Sequence, residues 1–469
     1  MQRDISALEK ALQKRIEEMK LPGVSVCIRG PEGVIYQKGF GKRSIEQDLD
    51  VTPDTVFGIA SMSKSFTALA CCMLTAEGRM SLEDPITKYF PSLHLPGVPD
   101  ELVTIRQLGL HRAGIPPMEP LEWSIAVNTP GRKSADEERL RKESPNAMNT
   151  IEQIADYIAE GRYQTLGEPG EYMSYSNEAY AILSYVVDQA AGIPLEQFLM
   201  ERIFKPLGMT RTILDQDCSE LKAMVGDGNV TRLFEEDDDG KLVEDDSWSV
   251  LPPFRGCACI KSTAPDMARY YQMLSNRGTF EGKRIVAEEA IDLMFGPEYP
   301  LRRKPFNVMG LKKREIAGKM VCDHGGGLHG VSTHGGLVEG GYGIAVLSNK
   351  SNEDAELVQW ICYNFVLGQD LEQELYWCKP CGKAFSAPEM LYGDYVGHEG
   401  LVAHALVYPK DGKLWVRAYD EERMLEYCEG TVFAAVDPKT GKRSDTYRFF
   451  IHDGHAWGVK VGTRVFRRA

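Results

Sequence analysis

The chain has 469 residues, 43% of them hydrophobic, which is enough for two or three domains with a sizeable core. Its formal net charge of −14 argues against nucleic acid or an anionic membrane as a main partner. No apolar run reaches the length of a membrane span, and the N-terminal segment lacks the apolar stretch of a signal peptide, which favours a cytoplasmic protein.

The 11 cysteines are an odd number and lie in apparent core segments, such as those of Cys27, Cys71 and Cys257. This distribution predicts reduced thiols and not a disulfide framework. Cys378 and Cys381 form a Cys-x-x-Cys pair, but no thioredoxin-like strand precedes them, and two cysteines cannot complete a zinc site. We therefore expect neither a metal nor another cofactor.

In chain order, the first predicted elements are a helix over 4–19 and a hairpin formed by 23–30 and 33–40. A second helix begins at Ser61, carries apolar residues at helical spacing and ends at Gly78, a C-terminal capping glycine. These elements predict a helix followed by the first strands of a sheet.

Residues 80–230 are predicted to be mainly helical and rich in loops, with the charged stretch 131–145 as a solvated surface insertion. The acidic run that begins at Glu235 predicts an exposed hairpin or loop. A calcium site is the less favoured interpretation of this run, because it lacks the EF-hand pattern.

Residues 331–338 and 342–348 predict an antiparallel pair, followed by an amphipathic helix over 353–367. A helix and hairpin at the start and a hairpin and helix at the end of 1–368 predict one sheet built from both ends. The helical region would then be an insertion between them.

The linker and tail differ in composition from the rest of the chain. Residues 369–390 carry Cys-Lys-Pro-Cys-Gly and Ser-Ala-Pro, as a linker would, and 391–469 consist of short alternating segments separated by turns. The alternation predicts a small antiparallel barrel or sandwich over 391–469.

Ser61 and Lys64 form a Ser-x-x-Lys motif at the start of the second helix. Residues three apart on a helix face the same side, and a helix N-terminus supplies free N–H groups and partial positive charge. This combination can activate a serine hydroxyl as a nucleophile. The spacing alone is weak evidence for a nucleophile, since a solvated surface helix with one serine and one lysine has the same pattern.

Tyr175 and Asn177 form a second motif, Tyr-x-Asn. A tyrosine is a poor base at neutral pH, but a neighbouring lysine ammonium favours the phenolate. Tyr175 and Lys64 could therefore shuttle the Ser61 proton, while Asn177 binds the substrate acyl amide and holds Lys64. The simpler alternative is a half-buried aromatic residue near a turn.

His324, Gly326 and Gly327 form the third motif, within a glycine-rich stretch just before the final hairpin. Glycines at the start of a strand let a substrate lie close to the backbone. The N–H groups of Gly327 and Ser61 would form an oxyanion hole for acyl transfer. The simpler alternative is a flexible glycine-rich turn.

In their order and spacing, the three motifs resemble those of the serine β-lactamase and penicillin-binding-protein-like hydrolases. This family includes class C β-lactamases, DD-peptidases, D-aminopeptidases and related esterases. The resemblance covers roughly 5–368, and the tail resembles the lipocalin-like barrel appended to some D-aminopeptidases. It implies an α/β (α+β) fold with an antiparallel sheet flanked by helices, an all-helical subdomain and a C-terminal β-barrel. The implied domains are 1–368, the linker 369–390 and the barrel 391–469.

The resemblance implies a role for each residue of the motifs. Ser61 would be the acylated nucleophile, Lys64 and Tyr175 the base and acid pair, and Asn177 a substrate-orienting residue. His324 replaces the lysine that many β-lactamases and DD-peptidases carry, and a mostly neutral histidine holds a carboxylate less well. We therefore expect poor β-lactam turnover and a closer likeness to the aminopeptidase and esterase branches.

Three other histidines are further candidates for the site. His111 lies in a family-like loop and is interpreted as structural. His329 follows the glycine motif, where lining the pocket is the less favoured interpretation. His334 alternates within a strand and is interpreted as a residue of the sheet face.

The leading hypothesis is hydrolysis, through acyl-Ser61, of a small amide or peptide that contains a D-amino acid. Carboxylic ester hydrolysis competes with it, as does transfer of the acyl group to an acceptor other than water. A hypothesis from another functional class is a non-catalytic, penicillin-binding-like sensor or binding protein, which would keep the fold without the chemistry. The expected partners are a small-molecule or short-peptide substrate and further copies of the chain in a homo-oligomer.

Overall fold

The computed structural model describes residues 4–129, 131, 135–237, 239–296, 303–351, 355–399, 403–418 and 421–469. These form two compact units. The first contains Met1–Asp84, Asn128–Arg132 and Tyr180–Leu375, and the second contains Pro85–Val127, Lys133–Ala179 and Tyr376–Ala469.

The described α-helices are α1 (Ile5–Glu18), α2 (Ser63–Ala76), α3 (Ile105–Gly109), α4 (Pro120–Asn128), α5 (Ala135–Glu143), α6 (Ile151–Ala159), α7 (Asn177–Ala191), α8 (Leu195–Leu199), α9 (Lys205–Leu207), α10 (Ser219–Val225), α11 (Arg255–Ala258), α12 (Ala264–Ser275), α13 (Glu288–Phe295) and α14 (Glu356–Leu367). A short 3₁₀ helix, Ala60–Met62, leads into α2. None of these described helices combines the length and apolarity needed to cross a membrane.

The first unit contains the strands β1 (Gly23–Gly30), β2 (Gly33–Ser44), β3 (Leu49–Asp50), β4 (Phe57–Gly58), β5 (Ile213–Leu214), β6 (Leu233–Glu236), β7 (Leu242–Asp245), β8 (Ile260–Ser262), β9 (Thr279–Phe280), β10 (Lys283–Arg284), β11 (Phe306–Val308), β12 (Leu311–Ile316), β13 (Lys319–Leu328), β14 (Val331–Val338) and β15 (Tyr342–Ser348). Its main sheet has the order β11-β12-β13-β14-β15-β1-β2-β3. Strand β1 pairs with β15 in antiparallel fashion, with Val26 opposite Val346. The predicted sheet built from both ends of this region is therefore confirmed.

The second unit contains a closed antiparallel barrel of β16 (Gly393–Gly397), β17 (Ala403–Lys410), β18 (Lys413–Ala418), β19 (Glu421–Glu429), β20 (Val432–Val436), β21 (Arg443–His452), β22 (His455–Val461) and β23 (Arg464–Arg468). Alternate residues of β17, such as Ala405 and Val407, are buried inside it. This period of two is what a strand with one face in the core requires. The predicted barrel is confirmed, whereas β16, β19 and β23 were not predicted.

Several local predictions also have outcomes. The acidic run forms the β6–β7 hairpin, as predicted, with residue 238 outside the described residues. The charged stretch 131–145 contains α5, and 132–134 lie outside the described residues. The last predicted helix begins at Glu356, and its first predicted residues, 353 and 354, also lie outside the described residues.

The expectation of reduced thiols was wrong for one pair. Cys378 and Cys428 form a disulfide across 50 residues of sequence, whereas Cys381 is free and exposed. The remaining cysteines, from Cys27 to Cys362, are buried and lie outside this disulfide. The domain boundaries 1–368, 369–390 and 391–469 stay a prediction.

Candidate active site

Ser61 and Lys64 come together as their spacing predicts. Ser61 lies in the 3₁₀ turn before α2 and is partly exposed, whereas Lys64, in the first turn of α2, is completely buried. Lys64 Nζ donates a hydrogen bond to Ser61 Oγ at 3.0 Å and one to the Cys257 carbonyl oxygen at 3.2 Å. A buried amine in contact with an accessible hydroxyl is the arrangement that proton transfer from a nucleophile requires.

The backbone just before Ser61 is held in an unusual conformation against β13. Ala60 has a φ of +45°, in the left-handed region that non-glycine residues rarely adopt. A Cβ at Gly326 would lie 2.3 Å from the Ile59 carbonyl oxygen and 2.5 Å from Thr333 Oγ1. Gly326 has no room for a side chain, because the segment before Ser61 packs directly on it.

His324 is buried on β13 and neutral at physiological pH. Its Nδ1 lies 2.5 Å from the Gly325 carbonyl oxygen, a pairing that requires the proton on Nδ1. Burial, together with the charges of Lys312 and Lys64, lowers the pKa of His324 to about 3. His324 thus carries no positive charge with which to hold a substrate carboxylate.

Gly327 is exposed next to this histidine, and a Cβ placed on it would meet no atom within 4 Å. The glycine motif lies in the second half of β13 and not at a strand start, because Gly326 and Gly327 pair with Thr333 and Ser332 of β14. The backbone of Gly327 is therefore fixed by the sheet and open on its other side.

A buried ion-pair network lies beside this strand segment. Arg314 Nη2 lies 2.7 Å from Asp323 Oδ2 and 2.9 Å from Glu356 Oε1. Burial by itself would raise the pKa of Asp323, but the Arg314 guanidinium, together with His334 and Lys312, holds that pKa well below its usual range. His334 Nε2 lies 3.6 Å from the same carboxylate, so His334 is a sheet-face residue that also borders the network.

The carboxylates of Asp323 and Glu356 and the ring of His334 lie close enough together to hold a metal ion. The Arg314 guanidinium already supplies the positive charge between the two carboxylates. We therefore interpret the cluster as an ion-pair network that fixes β13.

His329 contacts the acidic hairpin. Its Nδ1 lies 3.0 Å from Glu235 and its Nε2 2.8 Å from Asp245. Both ring nitrogens thus face carboxylates of the β6–β7 hairpin, which gives the acidic run a structural role.

Tyr175 belongs to the second unit, where His111 holds its segment in place. The Ser174 N–H donates to the His111 carbonyl oxygen at 3.0 Å, and the Ser176 N–H donates to His111 Nδ1 at 3.1 Å. The rings of His111 and Tyr175 stack with centroids 4.3 Å apart. His111 therefore fixes both the backbone and the ring of Tyr175, which agrees with its predicted structural role.

Asn177 begins α7 and is buried. Its Nδ2 donates to Glu399 Oε1 at 2.9 Å. The neighbouring Glu178 is also buried and accepts a hydrogen bond from Ser176 Oγ at 2.9 Å. Burial, with a smaller contribution from the Glu399 charge, raises the pKa of Glu178 to about 7.

Sequence reasoning missed three residues around Tyr175 and Asn177. Glu178 is adjacent to the predicted motif, so a carboxyl group there could have been noticed. Glu399 and Arg464 belong to the barrel region, and 222 residues separate Glu399 from Asn177. No local sequence signal points to contacts over such a distance.

The family model for Beta-lactamase matches residues 8–361, about three quarters of the chain. The chain belongs to the β-lactamase family. The motif residues Ser61, Lys64, Tyr175, Asn177, His324, Gly326 and Gly327 all lie within this match.

Two curated relatives are similar to this chain over part of their own length. It is 26% identical to the protein flp of Staphylococcus aureus strain N315 over 216 residues, which are 46% of this chain and 39% of flp. It is 27% identical to penicillin-binding protein 4* of Bacillus subtilis strain 168 over 330 residues, 68% of this chain and 65% of that protein. The chain thus spans about two fifths to two thirds of the length of these relatives.

Solved structures of similar fold cover more of the family member. The octameric penicillin-binding protein homologue from Pyrococcus abyssi is 25% identical, with a TM-score of 0.67 over 99% of this chain and 100% of that one. The D-amino acid amidase from Ochrobactrum anthropi SV3 is 23% identical, with a TM-score of 0.57 over 74% of this chain and 93% of that one. The second likeness shows the fold alone.

Proposed function

We propose that the chain is a serine hydrolase that acts through an acyl-Ser61 intermediate on a small amide or peptide containing a D-amino acid. The observation that carries the proposal is the 3.0 Å hydrogen bond between Lys64 Nζ and the partly exposed Ser61 Oγ. A lysine amine within hydrogen-bond distance of a serine hydroxyl can take up its proton when the hydroxyl attacks.

In the proposed reaction, Ser61 Oγ attacks the substrate carbonyl while its proton passes to the Lys64 and Tyr175 pair. That pair then protonates the departing amine, and an ester to Ser61 remains. Water attacks this ester, the carboxylic acid leaves, and the proton returns to Ser61 Oγ. The N–H groups of Ser61 and Gly327 would stabilise the oxyanion, and Asn177 would orient the acyl group.

The substrate class rests on charge and on the comparisons. A neutral His324 holds a substrate carboxylate poorly, which disfavours penicillins and peptides with a free C-terminus in this position. The structural likeness to a D-amino acid amidase supports an amide of a D-amino acid instead. Ester hydrolysis needs the same acyl-enzyme and is the second candidate.

The test is hydrolysis of D-alanine 4-nitroanilide by the wild type and by Ser61→Ala, with intact-mass detection of the acyl-enzyme. We expect the wild type to cleave the anilide and Ser61→Ala to lose on the order of 10⁶-fold in kcat, the order found on removing a serine nucleophile. Ser65→Ala is a matched control on the same helix, because Ser65 Oγ donates to the Met62 carbonyl oxygen one turn away. Ser65→Ala should retain activity.

Other outcomes would change the proposal. Cleavage of 4-nitrophenyl acetate but not of the anilide would favour an esterase, and turnover of a cephalosporin would contradict the role given to His324. If none of these substrates acylates Ser61 and a fluorophosphonate probe does not phosphonylate it, the proposed mechanism is wrong and a non-catalytic binding protein is favoured.

The assembly is also a proposal. The octameric state of the P. abyssi homologue supports a homo-oligomer for this chain. Light scattering coupled to gel filtration would test it, and a molar mass of one chain would contradict it.

A further inference from the structure

The barrel places two charged side chains on the segment that carries Tyr175 and Asn177. Glu399 follows β16, and its Oε1 accepts the 2.9 Å hydrogen bond from Asn177 Nδ2. Arg464 begins β23, and its guanidinium lies 4.4 Å from the centroid of the Tyr175 ring. Two nitrogens of Arg464 donate to the two oxygens of Glu399, so the pair is bidentate.

Hydrogen bonds from two backbone N–H groups hold this part of the barrel in register with the motif. The Tyr175 N–H donates to the Thr463 carbonyl oxygen at 2.9 Å, and the Val465 N–H donates to Ser174 Oγ at 3.1 Å. These two contacts flank Arg464 on both sides. The ion pair is therefore placed on the motif by the backbone and not by a flexible side chain alone.

The pair remains open to a ligand. The side chains of Glu399 and Arg464 keep 20% and 28% of their exposure, whereas Asn177 is buried. Within the described part of this unit, two carboxylates, those of Glu399 and Glu178, face one guanidinium. The Glu399 carboxylate is thus a charged group in direct contact with the Asn177 amide, and the Arg464 guanidinium is paired with it.

We propose that Glu399 determines the charge selectivity of the substrate site: it disfavours an anionic group beside the acyl carbonyl that Asn177 orients and favours a free α-amino group there. This inference rests on the proposed function, which assigns Asn177 to the substrate acyl group. A carboxylate brought next to Glu399 meets a like charge, and an ammonium meets an opposite one. The preferred substrate class is therefore the D-amino-acid amide with an unblocked amino group.

The experiment compares three anilides that share D-alanine and the leaving group but differ in charge: free D-alanine, N-acetyl-D-alanine and N-succinyl-D-alanine 4-nitroanilide. The wild type, Glu399→Gln and Glu429→Gln are assayed for kcat/KM. Glu429 is an exposed carboxylate on barrel strand β19 and serves as the matched control. The ratio of kcat/KM for two substrates, measured in one preparation, does not depend on the fraction of enzyme that is folded.

We expect the wild type to prefer the free amine over the succinyl substrate. Glu399→Gln should shift that ratio at least tenfold towards the succinyl substrate, since it also leaves Arg464 without its carboxylate, and Glu429→Gln should leave the ratio unchanged. An unchanged ratio in Glu399→Gln would show that Glu399 is only a structural contact and would overturn the proposal.

A binding measurement separates this inference from the proposed function. Titration calorimetry of the Ser61→Ala protein, with and without Glu399→Gln, gives the Kd ratio for D-alaninamide and N-succinyl-D-alaninamide without any chemistry. A tenfold shift in this ratio supports the role of Glu399 even if Ser61 is never acylated. Equal ratios, or no binding of either ligand, would overturn it even if the hydrolase is confirmed.

Discussion

Gly326 occupies a position on β13 at which a side chain has no room. A Cβ there would lie 2.3 Å from the Ile59 carbonyl oxygen, a backbone atom that cannot swing away. Gly326→Ala should therefore push β13 from the segment before Ser61, lower the free energy of unfolding by about 1–3 kcal/mol, as overpacking does, and slow acylation of Ser61. Thermal unfolding and the rate of acylation by 4-nitrophenyl acetate measure the two effects.

Gly327→Ala is the matched control for this prediction. A Cβ at Gly327 meets no atom within 4 Å, so the variant should unfold like the wild type. If Gly326→Ala is as stable as Gly327→Ala, the close packing of β13 on the segment before Ser61 is wrong.

Glu178 should make stability depend on pH in an unusual direction. Its pKa is raised from 4.5 to about 7 in the folded protein, chiefly by burial. Between these values the unfolded chain releases the proton and the folded chain keeps it, so stability falls as pH rises. The loss is about 3 kcal/mol in total, is complete above about pH 7 and is absent below about pH 4.5.

The measurement is the free energy of unfolding in urea from pH 4.5 to 8.5 for the wild type, Glu178→Gln and Glu152→Gln. The difference between wild type and Glu178→Gln should change by about 3 kcal/mol across this range, because glutamine does not titrate. Glu152 is exposed, so its variant should run parallel to the wild type. Parallel curves for all three proteins would mean that folding does not raise the pKa of Glu178, and would contradict the prediction.

At the residue scale, the sequence predicts contacts that one helical turn creates and misses those that tertiary structure creates. The spacing of Ser61 and Lys64 places their side chains together, and the structure has them 3.0 Å apart. Nothing local predicts that Glu399 would reach Asn177 or that Ala60 would adopt a left-handed φ. The roles of the seven predicted site residues stay proposals until acylation is measured.

Strands with a clear turn and an alternating or apolar pattern were predictable. The hairpin of β14 and β15 has the predicted bounds, because two apolar runs flank Gly340 and Gly341. Strand β23, with the sequence Arg-Val-Phe-Arg-Arg, resembles a charged tail, since only Val465 and Phe466 are buried. Its partners, β16 and β22, make it a strand.

The glycine motif was predicted as a turn or a strand start, but it lies inside a strand. Three consecutive glycines, from Gly325 to Gly327, suggest a turn or a strand start, because glycine weakens a strand interior. Here they lie within β13, paired residue by residue with β14. The cause is the close approach of the segment before Ser61 to Gly326, which the sequence does not indicate and the folded structure shows.

On the scale of the whole molecule, the pairing of chain ends was predictable and the grouping of distant segments was not. The sheet joins β1 to β15, and the sequence predicted this because hairpins of similar apolar pattern lie near both ends of residues 1–368. The clustering of Pro85–Val127 and Lys133–Ala179 with Tyr376–Ala469 depends on contacts such as that of the Tyr175 N–H with Thr463. Such contacts between distant segments leave no periodicity in the sequence.

The disulfide between Cys378 and Cys428 should stabilise the second unit. It closes a loop of 50 residues, and the loss of chain entropy in the unfolded state corresponds to about 4 kcal/mol. Cys428→Ser should therefore lower the free energy of unfolding of the barrel by about this amount. Addition of dithiothreitol should lower the free energy of unfolding of the wild type to that of Cys428→Ser and leave the value for Cys428→Ser unchanged.

Cys381→Ser is the control that the Cys-x-x-Cys pair offers. Cys381 is exposed and outside the disulfide, although its N–H donates to the Tyr427 carbonyl oxygen at 2.9 Å, next to Cys428. Because a serine keeps that backbone hydrogen bond, Cys381→Ser should unfold like the wild type and respond to dithiothreitol in the same way. If Cys381→Ser loses as much stability as Cys428→Ser, the bond that matters is between Cys378 and Cys381, and the pairing across 50 residues is wrong.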